Sequence, residues 1–263
     1  MVLAKPADAP VQKLFDLTGK VAAVTGGGRG IGLSVCKAYA EAGAQIAIIY
    51  NKTATAPETA SELSSTYNVK CLAYKADVTS PAEITAAVDN IVKDFGHLDI
   101  VVANAGVCSE HAGEDYTPTE FQDMMDVNVN GAFYTAQAAA KVFKAQGHGN
   151  IVFTASVSAT LVNIPQKQAA YNASKAGVLQ LSKSLAVEWV DFCRVNSVSP
   201  GYIETSMMAY ATPAMKETWR AQVPARRFAS PYELKGVYLF CASDASSYMT
   251  GSNIIVDGGF TLP

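Results

Sequence analysis

Lys20-Val-Ala-Ala-Val24 runs directly into Thr25-Gly-Gly-Gly-Arg-Gly-Ile-Gly32, and this junction decides the fold. Val21–Val24 is short and apolar, as a strand buried on both faces must be. A helix is expected to begin near Ile31. Between them, Gly26, Gly30 and Gly32 remove the Cβ atoms that would keep backbone amides from a pyrophosphate. The helix N-terminus adds free donors and a partial positive charge. A glycine turn alone is weak evidence; its place between a first strand and a first helix gives it weight.

The alternation of short β-rich runs with longer amphipathic stretches continues along the chain. Further strands are expected at Gln45–Tyr50, Lys70–Tyr74, Leu98–Ala103, Asn150–Thr154, Arg194–Val198 and Asn253–Val256. Ser80-Pro-Ala-Glu83, Thr117-Pro-Thr-Glu120 and Ser230-Pro-Tyr-Glu233 each mark a helix start, with a cap residue, a proline and a returning glutamate. The pattern predicts an α/β fold, a single-domain Rossmann-type doubly wound parallel sheet of about seven strands with helices on both faces. Residues 1–16 are expected to form an N-terminal arm and residues 17–263 the domain.

Composition narrows the function. Hydrophobic residues make up 49% of the 263, enough for a sizeable core, and the net charge of −3 points to neither nucleic acid nor an anionic membrane. No apolar run approaches the roughly 18 residues of a membrane span. The five cysteines show no C-x-x-C spacing, which fits reduced thiols and a cytoplasmic location. His97, His111 and His148 are too scattered in sequence to indicate a metal, and none is expected.

Of the twelve tyrosines, only Tyr171 has a lysine four positions later. At this spacing Tyr171 and Lys175 share one face of a helix expected over Ala169–Val190. A phenol is a poor proton donor and acceptor at neutral pH; a neighbouring ammonium, together with the positive nicotinamide ring of an oxidised cofactor, favours phenolate and lowers its pKa. The alternative for the pair alone is a buried tyrosine with a snorkelling lysine. The nucleotide choice turns on the end of the second strand, Ile49-Tyr50-Asn51-Lys52, which lacks the carboxylate that binds a ribose 2′-hydroxyl. Arg29 and Lys52 instead supply two cations suited to a 2′-phosphate, which an acid would repel. NADP(H) is the expected cofactor.

Thr-Gly-x-x-x-Gly-Ile-Gly and Tyr-Asn-Ala-Ser-Lys together resemble the short-chain dehydrogenase/reductase family, over about Leu17 to Phe260. The resemblance implies roles for further residues. Ser156, after the fifth strand, would hydrogen-bond the substrate oxygen, with Ser158 a nearby rival. Asn128, in Asp126-Val-Asn128, would help to hold a water-mediated proton relay with Lys175. Asn104-Ala105-Gly106 would support the sheet beside the cofactor, and Asp77-Val78 would border the adenine. Pro200, Gly201, Ile203 and Thr205 would lie beside the nicotinamide, with Asn51 and Ile31 completing the cofactor contacts. Hydride would pass from NADPH to a carbonyl carbon while Tyr171 protonates the oxygen.

Longer stretches, among them Pro165-Gln166-Lys167-Gln168-Ala-Ala-Tyr171-Asn172 and Ser243-Asp-Ala-Ser-Ser-Tyr248, are similar to a fungal branch of NADP(H)-dependent polyol dehydrogenases and ketose reductases. That implies a sugar or polyol substrate of the sorbose, fructose or xylulose type, and a homotetramer or homodimer with Thr117–Lys144 and Ala169–Val190 as contact helices. Asn163, Gln166 and Gln168 are candidates to meet substrate hydroxyls, or else to cap the helix. His111 and Glu204 could border the entrance, and Met207, Met208 and Trp219 could form a lid or simply pack. A ketoacyl reductase of the same family is the rival enzyme, but the sequence shows no basic patch to dock an acyl carrier. A non-catalytic NADP(H) sensor is the rival of another class; such proteins commonly lose the tyrosine or lysine, and this chain has both.

Overall fold

The computed structural model describes residues 7–262. Seven parallel strands form one sheet: β1 (Val21–Thr25), β2 (Gln45–Tyr50), β3 (Cys71–Lys75), β4 (Ile100–Ala103), β5 (Asn150–Thr154), β6 (Arg194–Pro200) and β7 (Asn253–Val256). Their order is β3-β2-β1-β4-β5-β6-β7. β1 therefore pairs with both β2 and β4, and the chain winds outward in opposite directions from that point. A crevice opens there at the carboxyl ends of the strands.

Among the described residues eight α-helices connect the strands: α1 (Gly30–Glu41), α2 (Ala56–Tyr67), α3 (Pro81–Phe95), α4 (Pro118–Met125), α5 (Gly131–Gln146), α6 (Ala169–Glu188), α7 (Pro213–Gln222) and α8 (Lys235–Ala242). Successive residues of a strand face opposite sides of the sheet, and the two cores follow this alternation. Val21, Ala23, Ile49, Val101 and Phe153 pack with α3, α5 and α6. Ala22, Val24, Ile48, Val102 and Val152 pack with α1, α2 and α8. A third, smaller cluster of Ala211, Trp219 and Phe228 stands apart, around α7.

Boundaries move where side chains compete for the backbone. The sheet takes up the fourth strand at Ile100, not Leu98, because the Gln146 amide binds both Leu98 N and Leu98 O. The third strand shifts by one residue, and the sixth runs on to Pro200. The continuous helix expected over Thr117–Lys144 is interrupted by a wider π turn at Asp126–Asn130. Within it, Asn128 turns inward and Asp126 Oδ1 accepts from both Gln122 and Asn130. α5 then begins with Gly131 against Val78, where an added Cβ would meet a side-chain carbon at 2.7 Å.

Of the three expected reciprocal caps, Thr117 and Glu120 form one in full. Ser80 accepts from Glu83 N, but the Glu83 carboxylate goes to Asp77 N instead. Glu233 accepts from Ser230 N ahead of a short 3-10 turn that leads into α8. Residues 1–6 of the expected arm lie outside the described residues. Val11–Phe15 forms a 3-10 turn, with the Phe15 ring 6.5 Å from that of Phe240.

Gly149 lies directly beneath the Phe143 ring: a Cβ there would stand 2.0 Å from a ring carbon. Phe143 is fully buried in the core. Gly149→Ala should displace the ring and destabilise the protein by about 1–3 kcal/mol, read as a lower urea midpoint with an unchanged slope. An unchanged midpoint would mean that the ring has room to move.

Candidate active site

A cleft of about 690 Å³ follows the carboxyl edge of the sheet. At one end lies the glycine turn. Gly26 and Gly30 have φ of +65° and +55°, and a Cβ at Gly32 would stand 2.4 Å from Gly26 O. Arg29, extended, precedes α1 without a side-chain cap, so the first-turn amides keep their hydrogen-bonding capacity for an anion. This cradle fits a dinucleotide pyrophosphate. Arg29 and Lys52 line the same end, with Arg29 Nη1 on Ser206 Oγ at 3.2 Å. Asp77 is held below its ordinary pKa by Thr79, and further by Asn51 and Lys52. Asn51 Nδ2 donates to it at 2.7 Å.

In mid-cleft the strand ends are tied together. Thr25 Oγ1 accepts from Asn104 N and Ala105 N, and Asn104 Nδ2 donates back to Thr25 O at 2.9 Å. Thr154 Oγ1 donates to Asn104 Oδ1 at 3.2 Å and lies 2.6 Å from the Tyr238 hydroxyl. Lys175 Nζ donates to Thr154 O at 2.8 Å. Asn104 thus links the ends of β1 and β5. Thr154 and Tyr238 had no expected role: Thr154 lies inside the stretch that carries Ser156, whereas nothing local marks Tyr238.

Of the residues expected for catalysis and cofactor binding, all but one line this cleft. Gly26, Arg29, Gly30, Ile31, Gly32, Asn51, Lys52, Asp77, Val78, Asn104, Ala105, Gly106, Ser156, Tyr171, Lys175, Pro200, Gly201, Ile203 and Thr205 converge on it. The exception is Asn128, which sits behind Gly106 and Val107. Its side chain is spent on Val107 N and O, Ser174 Oγ and Met124 Sδ. The side chain braces the loop that carries Gly106 and packs against α6.

In the Tyr171/Lys175 pair burial is the leading electrostatic influence. Lys175 Nζ is 5.8 Å from the Tyr171 ring centre and faces Thr154 rather than the phenol oxygen. Burial raises the Tyr171 pKa, an effect that Ser156 offsets only in part. Burial also lowers Lys175 to about 8. Without cofactor the phenol is therefore a firm proton holder and the lysine a weak one.

Ser156 and Ser158 are distinguished by their partners. Ser158 Oγ donates to Asn163 Oδ1 at 2.7 Å and accepts from Gln168 Nε2, so its hydroxyl is committed. Ser156 Oγ accepts from Ser158 N and keeps its own proton for Tyr171 and the cleft. The far end of the cleft is lined by Asn163, Gln166, Gln168, Tyr202, Met207, Met208 and Trp219. His111 and Glu204 lie outside that lining; His111 faces Glu120 at 3.7 Å. Among the described residues no group of His, Cys, Asp or Glu is arranged to hold a metal, and no helix is long and apolar enough to cross a membrane.

Residues 26–261 match the protein family described as enoyl-(acyl carrier protein) reductase. Together with the relatives below, this shows that the chain belongs to the short-chain dehydrogenase/reductase family of oxidoreductases. Within it, the chain is 45% identical to a probable NADP-dependent mannitol dehydrogenase of Yarrowia lipolytica, covering 98% of this chain and 96% of that one. It is 47% identical to a sorbose reductase of Candida albicans, over 96% of this chain and 91% of that protein. Among solved structures, NADPH-dependent 3-quinuclidinone reductase from Rhodotorula rubra superposes with a TM-score of 0.95 at 38% identity, over 99% and 98% of the two chains.

The lowered Lys175 pKa makes stability depend on pH in one direction. Between about 8 in the folded protein and the ordinary lysine value of about 10.4, the unfolded chain binds more protons. The folded state therefore gains from this group as pH rises through that window. From pH 7.5 to 9.5, urea unfolding should show wild type gaining on the order of 1–2 kcal/mol relative to Lys175→Met. A pH-independent difference would show that the lysine is charged in both states.

Proposed function

We propose that the protein is an NADPH-dependent carbonyl reductase that interconverts a ketose and its polyol. The observation that carries this reading is the gathering of Tyr171, Ser156 and Lys175 in one cleft with a cation-lined glycine cradle. The relatives named for mannitol and sorbose support the sugar assignment. The glycine cradle would hold the pyrophosphate, Arg29 and Lys52 the 2′-phosphate, and Lys175 with Tyr171 the nicotinamide ribose. When bound, the reduced nicotinamide supplies the hydride.

The remaining chemistry belongs to the side chains. Tyr171, kept protonated by its surroundings, gives its proton to the carbonyl oxygen. Ser156 donates to that oxygen as negative charge develops there. Thr154 O holds Lys175 in place, and Asn128 braces the loop beneath both. In the direction of polyol oxidation Tyr171 accepts the proton and must first be phenolate, a form that burial disfavours and neighbouring positive charge favours. The cradle, cations and polar substrate end need no acyl carrier, and the intact Tyr171/Lys175 pair argues for turnover rather than sensing. The same reading makes the protein a cytoplasmic homotetramer or homodimer, for which the exposed Val187 on α6 offers a contact.

Tyr171→Phe should still bind NADPH in a fluorescence titration, while kcat on a panel of ketoses falls by roughly 10²–10⁴. Near-normal turnover in that variant would refute the role. Lys52→Ala and Arg29→Ala should each lower kcat/KM for NADPH by roughly 10–100-fold, the loss of a charge-assisted hydrogen bond, with NADH little affected. Wild-type enzyme that uses the two nucleotides equally well would overturn the 2′-phosphate assignment.

A further inference from the structure

Two buried polar atoms at the far end of the cleft, Gln166 Oε1 and Trp219 Nε1, have no hydrogen-bond partner among the described residues. Gln166 is 6% exposed and Trp219 1%. Both residues line the cleft, as does Tyr202. The Tyr202 ring stacks on Trp219 at 5.3 Å and 10°. Its hydroxyl oxygen accepts from Gln166 Nε2 at 2.6 Å and from Asn163 Nδ2 at 3.4 Å. A phenol that accepts twice still has its own proton to donate. Turning the Gln166 amide over would only exchange an orphaned acceptor for an orphaned donor. Buried polar atoms are almost always paired in a working protein, so orphans gathered in a ligand cleft point to a partner that arrives with the ligand.

The chemistry of that partner can be read from the groups. Ser158, Asn163, Gln166, Gln168, Tyr202 and Trp219 are all neutral, and they offer both donors and acceptors. A hydroxyl supplies both in return. A sugar acid would bring a carboxylate to this end and find no cation there. We propose that Gln166, Tyr202 and Trp219 form a subsite that reads the uncharged, hydroxylated chain of the substrate away from its reacting carbonyl. Gln166 accepts from one hydroxyl, while Tyr202 and Trp219 donate to it or its neighbours. This deepens the ketose-reductase reading and rests on it.

A site built to pair substrate hydroxyls loses most against substrates that lack them. The test compares kcat/KM for a ketose (sorbose, fructose or xylulose) with kcat/KM for 3-quinuclidinone, a ketone without hydroxyls. Gln166→Leu and Tyr202→Phe should each lower the ketose-to-ketone ratio at least tenfold, mainly through a higher ketose KM. Direct titration of the ketose into Tyr171→Phe saturated with NADPH should show at least tenfold weaker binding once Gln166→Leu is added. Tyr202→Phe keeps the ring stack on Trp219, so it tests the hydroxyl even if Gln166→Leu fails to fold. Wild-type ketose turnover with a ratio and a binding constant that stay within twofold in the variants overturns the subsite alone. Wild-type enzyme that consumes NADPH with the ketone but with no ketose overturns the sugar reading, and the subsite with it. A sugar acid reduced as well as the neutral ketose overturns the charge argument.

Discussion

The cleft depends on one set of hydrogen bonds, the ties from Thr25 through Asn104 to Thr154 across the ends of three strands. The Thr25 hydroxyl donates to Val102 O while accepting two amides. Asn104 joins it to Thr154, and Thr154 O receives the Lys175 ammonium. Such a network, buried and satisfied at nearly every member, rigidifies what it joins. The long lysine stem is thereby fixed by the backbone of β5. The strand ends that form the floor of the cleft cannot splay without breaking it.

The glycine turn poses the complementary constraint, one of space rather than bonding. Gly32 must come close to Gly26 O for α1 to start where it does, and Asn104 Nδ2 leaves no room either, at 2.7 Å from a would-be Cβ. The same side chain that ties β4 to β1 therefore also sets how near the helix can approach. The glycine turn and the Lys175 ammonium are parts of one packed arrangement.

Much of this was legible in the sequence, because it rests on local rules. Strand alternation follows from apolar runs, and the glycine cradle from the strand-to-helix junction. Arg29 and Lys52 were readable from the missing carboxylate at the end of β2. What was not legible arises over distance. Tyr238 reaches Thr154 across 84 positions, and no periodicity marks a hydroxyl destined for another element's side chain. Asn128 could be picked out by its motif, but its engagement depends on a π turn that the amphipathic pattern of 117–144 conceals. Spacing brings Tyr171 and Lys175 to one face without saying how deeply both are buried. Desolvation outweighs the lysine until something charged enters beside them.

The small cluster of Ala211, Trp219 and Phe228 shares no buried member with the two cores that flank the sheet. Changes made within it should add to changes in the sheet rather than couple with them. A chain organised in this way can drift toward a different sugar by altering one small satellite of side chains. Its reactivity, anchored in the sheet, would pass unaltered from one descendant to the next.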